Sequence, residues 1–200
     1  ALMWCIGELG LDYVRHDIGH IHGGNDTPQF LAMNPNGTVP VLRDGDGPPL
    51  WETGAILRYL ASRYAPNRFW PADPVARAEI DKWSEWAKIN ITLNFTGPIF
   101  WRVVRTAPSM QDPAVINAAL DALTRFLRIA EARLEQQAFL GGKELTLADI
   151  QFGHVLYRYF DIDIARPDLP HVARYYAGLV ERPAFAEHVM VSYDALRVTD

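Results

Sequence analysis

Two short stretches carry the residues best suited to chemistry: Asn34-Pro35-Asn36-Gly37-Thr38-Val39-Pro40-Val41-Leu42 and Trp51-Glu52-Thr53-Gly54-Ala55-Ile56. A proline at the head of a strand cannot donate to the sheet ladder. A cis Val39–Pro40 bond would turn the Val39 N–H and C=O outward, where an extended peptide can pair with them. Glu52-Thr53 falls where a strand gives way to a helix. The free N–H groups of that first turn, the Thr53 hydroxyl and the helix dipole together seat a carboxylate, and Glu52 can meet an amino group. Singly, Val39-Pro40 reads first as an edge-strand proline and Glu52-Thr53 as an ordinary helix start. The pair at this spacing predicts a site for a small peptide with a free amine and a carboxylate at one end.

The elements that must position these residues follow from local pattern. Residues 1–9 read as a helix with Leu2, Ile6 and Leu9 on one stripe, stopped by Gly10. Leu11–Ile18 is β-rich and predicts a strand. Thr27 caps a short helix with Pro28 at its first position and Phe30 and Leu31 as its buried face. Asn34 to Gly37 is turn chemistry, and Val39-Pro40-Val41-Leu42 a strand entered through proline. Asp44-Gly45-Asp46-Gly47 makes a hairpin loop to a second, antiparallel strand at Leu50-Trp51. Helix returns from Thr53 to Tyr64, with Ile56, Leu57 and Leu60 inward. Residues 65–73, with two prolines and little periodicity, read as a linker.

Beyond the linker the pattern is helical. Asp73-Pro74 and Asp112-Pro113 are both cap-plus-proline starts. The helix from Pro74 meets Gly97-Pro98, which should kink or end it, because proline removes a donor and clashes one turn back. In the helix from Pro113, Ile116, Leu120, Leu123, Leu127, Ala130 and Leu134 form a core stripe. Thr146–Tyr159, Pro170–Glu181 and Pro183–Val191 fit further helices. Thr146 and Asp149 have capping-box spacing, with Leu145 and Ile150 as the hydrophobic staple, a structural role. The fold class is therefore an α/β unit over 1–64 and an all-α unit over 74–200. A first helix with no strand before it leaves the sheet one strand short, and that strand is expected upstream of Ala1.

Composition narrows the function. With 19 Lys and Arg against 24 Asp and Glu, the net charge of −5 excludes the basic surface a nucleic-acid binder needs. Hydrophobic residues at 49% and charged residues at 22% predict a packed core rather than disorder. No apolar run approaches the roughly 20 residues of a membrane span, and the opening residues, with no basic n-region or cleavage signal, are not expected to be a secretory leader. The single cysteine, Cys5, cannot form an intramolecular disulfide, which points to a reducing, cytoplasmic setting. Its place inside the first helix, between Trp4 and Ile6, predicts a packed thiol. His20 and His22 share a loop without ligand company, so no metal site is expected. Trp83 and Trp86, three apart on the long helix, predict core packing or a subunit contact.

Taken together, Glu8-Leu-Gly-Leu-Asp-Tyr13, Asn34-Pro-Asn-Gly-Thr-Val-Pro40, Trp51-Glu-Thr-Gly-Ala-Ile-Leu-Arg-Tyr-Leu60 and Thr146-Leu-Ala-Asp149 resemble the glutathione transferase family. With Phe100-Trp101-Arg102-Val-Val-Arg105-Thr-Ala-Pro108, the likeness is greatest to bacterial, theta- or beta-like cytosolic members. The resemblance implies a thioredoxin-like N-terminal domain, here without its first strand, and a helical C-terminal domain. It implies that Val39, before Pro40, pairs with the cysteinyl part of glutathione, that Glu52 and Thr53 hold the γ-glutamyl end, and that Thr38 lies beside the glycine end. Asn94, Trp101 and Arg105 would face the electrophile pocket. The thiol-activating Ser, Tyr or Cys of the family is expected upstream of Ala1. The same likeness implies a homodimer that uses glutathione as co-substrate, with no metal, the glutathione thiolate attacking a small hydrophobic electrophile. The alternatives are glutathione-dependent disulfide or peroxide reduction, and a non-catalytic binding module. The helices carrying Arg58 and Trp83 are the candidate dimer contacts.

Overall fold

The computed structural model describes residues 1–200. Two units pack on one continuous core that runs from Trp4 to Tyr193. The smaller, thioredoxin-like unit comprises α1 (Leu2–Leu9), α2 (Pro28–Met33), β1 (Val41–Leu42), β2 (Leu50–Trp51) and α3 (Thr53–Tyr64). β1 and β2 form its hairpin, antiparallel with Val41 opposite Trp51 and Leu42 opposite Leu50. Gly10 ends α1 in the left-handed conformation, and Thr27 caps α2 by accepting from the Phe30 N–H.

Two expectations for this unit need correcting. Leu11–Ile18 is not a strand. A strand exists only through a ladder partner, and neither β1 nor β2 pairs with this segment; its side chains are mostly exposed. In α2 only Phe30 is buried, while Leu31 is exposed and lies over the turn at Gly37. Two turns of helix present one inward position, and Phe30 takes it.

The helical unit begins with α4 (Pro74–Trp86), where Asp73 accepts from the Ala76 N–H. This helix does not stop at Gly97-Pro98. It continues through two widened π turns, Ala87–Thr92 and Thr96–Trp101, which bracket α5 (Leu93–Phe95) and lead into α6 (Arg102–Val104). The buried residues Ala87, Ile91, Phe95 and Ile99 fall every fourth position, longer than the 3.6 residues of an α turn. A wider turn keeps such a series on one face, and it gives the Pro98 ring room where an α turn would collide with it.

α7 (Pro113–Gln136) buries the whole predicted stripe from Ile116 to Leu134. The helix expected over Thr146–Tyr159 is two, α8 (Leu147–Gly153) and α9 (Leu156–Asp161). They part at His154, whose ring sits 3.1 Å from the Ile150 carbonyl that would otherwise accept the His154 N–H. α10 (Pro170–Val180) and α11 (Pro183–His188) complete the bundle. Trp83 and Trp86 pack edge to face at 5.2 Å, with Arg133 over Trp83 and Phe152 beside Trp86. Arg58 on α3 pairs with Asp81 and Glu85 on α4. Both of the helices offered as subunit contacts are thus engaged within the chain.

The units are fastened at their edge by Glu8. Its carboxylate takes two hydrogen bonds of 2.6 Å from Arg182 and one of 2.9 Å from the Trp4 indole. Burial pushes the Glu8 carboxyl up, but these bonds and the charges of Arg182 and Arg68 outweigh it and hold it below the usual value. A depressed carboxyl contributes stability that is fully present above the unfolded value of about 4.3 and is lost as the pH falls through the lower folded value. Glu8→Gln is expected to cost about 3 kcal/mol at neutral pH, where Arg182 loses its anion. The penalty shrinks as acid protonates the wild-type carboxylate; urea midpoints measured down to about pH 3 test both signs.

Candidate functional site

Between the units lies a cleft of about 1450 Å³. One wall is the segment from Leu11 to Ile18, every residue of which lines it. The floor on the thioredoxin-like side is Val39, Pro40, Val41, Leu42 and Thr53. The helical side contributes Lys88, Thr92, Leu93, Gln151, His154 and His188.

The approach to Val39 is built by Asn34, which is buried. Its amide donates to the Thr38 carbonyl at 2.7 Å, and its oxygen accepts from the Asn36 N–H at 3.1 Å. Gly37 completes the turn at φ 63°, a conformation that favours glycine, and its carbonyl accepts from Asn25 at 2.8 Å. The Val39–Pro40 bond is cis. Val39 is 56% exposed, and neither its N–H nor its C=O is bonded to another group of the chain. A ligand backbone can therefore pair there without displacing a native bond.

The second feature is the junction of β2 and α3. The chain passes from strand to helix across the single residue Glu52, which takes φ 68° and ψ 114° to make the turn. Non-glycine residues held in such a conformation cost of order 1–3 kcal/mol. The turn leaves the Glu52 carboxylate outside α3 and places Thr53 at its first position, where unbonded N–H groups and the positive end of the helix dipole favour an anion. α3 is held against the hairpin loop by Tyr59 and Tyr64, both of which donate to Asp44 at 2.6 Å.

The structure thus brings Val39, Pro40 and Thr53 onto one surface; Glu52 does not itself line the cleft, and its carboxylate lies 2.9 Å from Lys88, which does. Thr38 is tied into the Asn34 turn, its hydroxyl also accepting from Asn34, and does not line the cleft. Asn94, Trp101 and Arg105 do not line it either. The Asn94 amide folds back onto the Asn90 and Ile89 carbonyls, and Arg105 covers the Trp101 ring at 5.1 Å, further along the rod. Cys5 is fully buried, and burial pushes its thiol up to about 12, so it remains protonated and packed.

Sequence reasoning missed the helical wall. His154 is pushed well below its ordinary value by burial, so its ring is neutral, with Nδ1 against the Ile150 carbonyl. Lys88 lies 2.9 Å from Glu52. The one available signal was the four-residue spacing of Lys88 and Thr92, each one position after the core residues Ala87 and Ile91. No three His, Cys, Asp or Glu residues are grouped so as to hold a metal.

Residues 2–63 match the glutathione S-transferase N-terminal domain and residues 93–183 the glutathione S-transferase C-terminal domain. The chain is 37% identical over 185 residues to glutathione S-transferase GstB of Escherichia coli, covering 92% of this chain and 88% of that protein. It superimposes with a TM-score of 0.89 on the theta class glutathione S-transferase of Xanthomonas axonopodis pv. citri with glutathione bound, at 42% identity and covering 96% of this chain and 91% of that one. The maize glutathione S-transferase I in complex with an atrazine glutathione conjugate aligns with a TM-score of 0.81 at 30% identity, covering 94% and 91%. The chain belongs to the glutathione S-transferase family.

Proposed function

We propose that this glutathione transferase holds glutathione along the cleft floor and directs its thiolate at a small hydrophobic electrophile. The cysteinyl part pairs with the Val39 backbone, and the γ-glutamyl end meets Glu52 through its ammonium and the first turn of α3, with the Thr53 hydroxyl, through its carboxylate. The observation that carries this reading is that unbonded Val39 N–H and C=O groups and the start of α3 open onto one cleft. Fixing the tripeptide there supplies proximity. A free thiol near 8.5 is mostly protonated at neutral pH, so the family's activating hydroxyl or thiol supplies the remaining step, thiolate stabilisation.

Leu93, His154 and His188, which line the helical side, are the better candidates for the electrophile's surroundings than Asn94, Trp101 and Arg105. The same reading includes a homodimer, as the family resemblance implies, in a reducing cytoplasm that suits a lone buried thiol. No helix is long and apolar enough to cross a membrane.

The test is retention on immobilised glutathione with elution by free glutathione, then conjugation to an activated chloronitroarene followed by absorbance. Retention with turnover is expected. Lack of retention counts against every glutathione reading, and retention without turnover leaves a binding module. Parallel assays with a mixed disulfide and an organic hydroperoxide rank the reductive chemistries against conjugation.

A further inference from the structure

The mouth of the cleft holds a cation to which sequence reading gave no part. Lys88 stands on the widened turn Ala87–Thr92, and its ammonium lies 2.9 Å from Glu52 Oε2. The side chains are 34% and 56% exposed, so the pair contributes little to folding. Its position is more informative. Lys88 is the one lysine or arginine that the helical side contributes to the cleft. The same wall is short of partners: Thr92 Oγ1 and Gln151 Nε2 are buried with no hydrogen bond, although buried polar atoms are nearly always bonded. Gln151 Nε2 lies against the first turn of α3, 3.6 Å from where a side chain at Gly54 would begin.

We propose that Lys88 is a substrate-binding residue that takes the α-carboxylate of the γ-glutamyl group from the side opposite Thr53, an inference that rests on the glutathione reading above. The γ-glutamyl end carries an ammonium and a carboxylate on one carbon. In the free protein Lys88 holds the Glu52 carboxylate at the cleft mouth. When the ligand ammonium arrives at Glu52 it competes with Lys88, and the carboxylate that arrives with it offers Lys88 a second anion within reach of a flexible four-carbon stem. Charges then alternate from Lys88 to Glu52 to ammonium to carboxylate and back to Lys88. The γ-glutamyl end is gripped from both units, and a peptide lacking the α-carboxylate loses one of the two grips.

The experiment crosses protein and ligand variants. Dissociation constants are measured for glutathione and for 4-aminobutanoyl-cysteinylglycine, which keeps the amine but lacks the α-carboxylate, with wild type, Lys88→Ala and Lys88→Arg. Lys88→Ala is expected to weaken glutathione about tenfold, the low end for a hydrogen bond to a charged group because the site is half open to water. It is expected to leave the analogue's affinity unweakened, or raised where the analogue's ammonium no longer competes with Lys88 for Glu52, and to raise KM for glutathione without lowering kcat at saturation, while Lys88→Arg recovers most of the loss. Equal weakening of both ligands would mean that Lys88 acts only by holding Glu52, and no weakening of either that it takes no part; each overturns the inference while leaving the function intact. Failure of wild type to bind glutathione at all removes the function, and this inference with it.

Discussion

Replacing Asp149 by alanine is expected to lower the stability of the protein by about 4 kcal/mol and to leave glutathione affinity nearly unchanged. Asp149 is completely buried. Its carboxylate accepts from the Leu140 N–H at 2.7 Å, the Thr146 N–H and hydroxyl at 2.9 Å each, and the Tyr175 hydroxyl at 3.0 Å. Burial pushes the Asp149 carboxyl up, against the pull of those four donors. A helix cap lost at a surface costs about 0.5–2 kcal/mol. Here the loss extends further, because two amides and a phenol are left buried without an acceptor, each worth about 1–3 kcal/mol. Asp149→Asn keeps the shape but turns an amide toward donors and should fall between wild type and alanine. Urea titration read by tryptophan fluorescence, with the slope checked for constancy, gives the stabilities, and titration calorimetry gives the affinities. A variant of wild-type stability that binds poorly would contradict the structural assignment.

The largest effect on binding is expected at Glu52. Glu52→Gln removes the charge that meets the ligand ammonium and should raise the glutathione dissociation constant about 30-fold, as losing a hydrogen bond between charged groups does. Glu52→Gly should bind at least as poorly, yet hold or raise the urea midpoint, because glycine adopts φ 68° without the penalty a side chain imposes. Weak binding with undiminished stability marks a residue kept for its ligand at the fold's expense. Parallel loss of both would assign Glu52 to folding instead. Thr53→Ser, which keeps the hydroxyl, should bind within about twofold of wild type, and Thr53→Ala about fivefold more weakly.

Much of this molecule was legible because its signals are local. The limits of α3, the β1–β2 pairing and the inward stripe of α7 follow from caps, turn residues and spacing that act within a few positions. The unbonded Val39 backbone and the helix start at Thr53 were legible for the same reason, since each is a backbone feature set by its own proline or helix start. What failed was non-local. Leu11–Ile18 has strand composition, but composition cannot supply a neighbour to pair with. Pro98 forbids an α turn, and only the four-residue series Ala87, Ile91, Phe95 and Ile99 reveals that the rod widens instead of ending. Asn94, Trp101 and Arg105 were placed by likeness of sequence, whereas the direction in which they point depends on how far those wide turns rotate the rod. Lys88 was invisible because its partner is 36 residues away on the other unit.

The clasp between Glu8 and Arg182 joins positions 174 apart in the chain, and beside it the Trp4 and Phe185 rings meet edge-on at 4.9 Å. His188 sits so near Gly7 that even a methyl group there would overlap it, at 2.5 Å. Such close contacts tie α1 to α11 and oppose separation of the two units along that edge. Enlarging the cleft is then expected to come from trimming side chains that line it, not from parting the units.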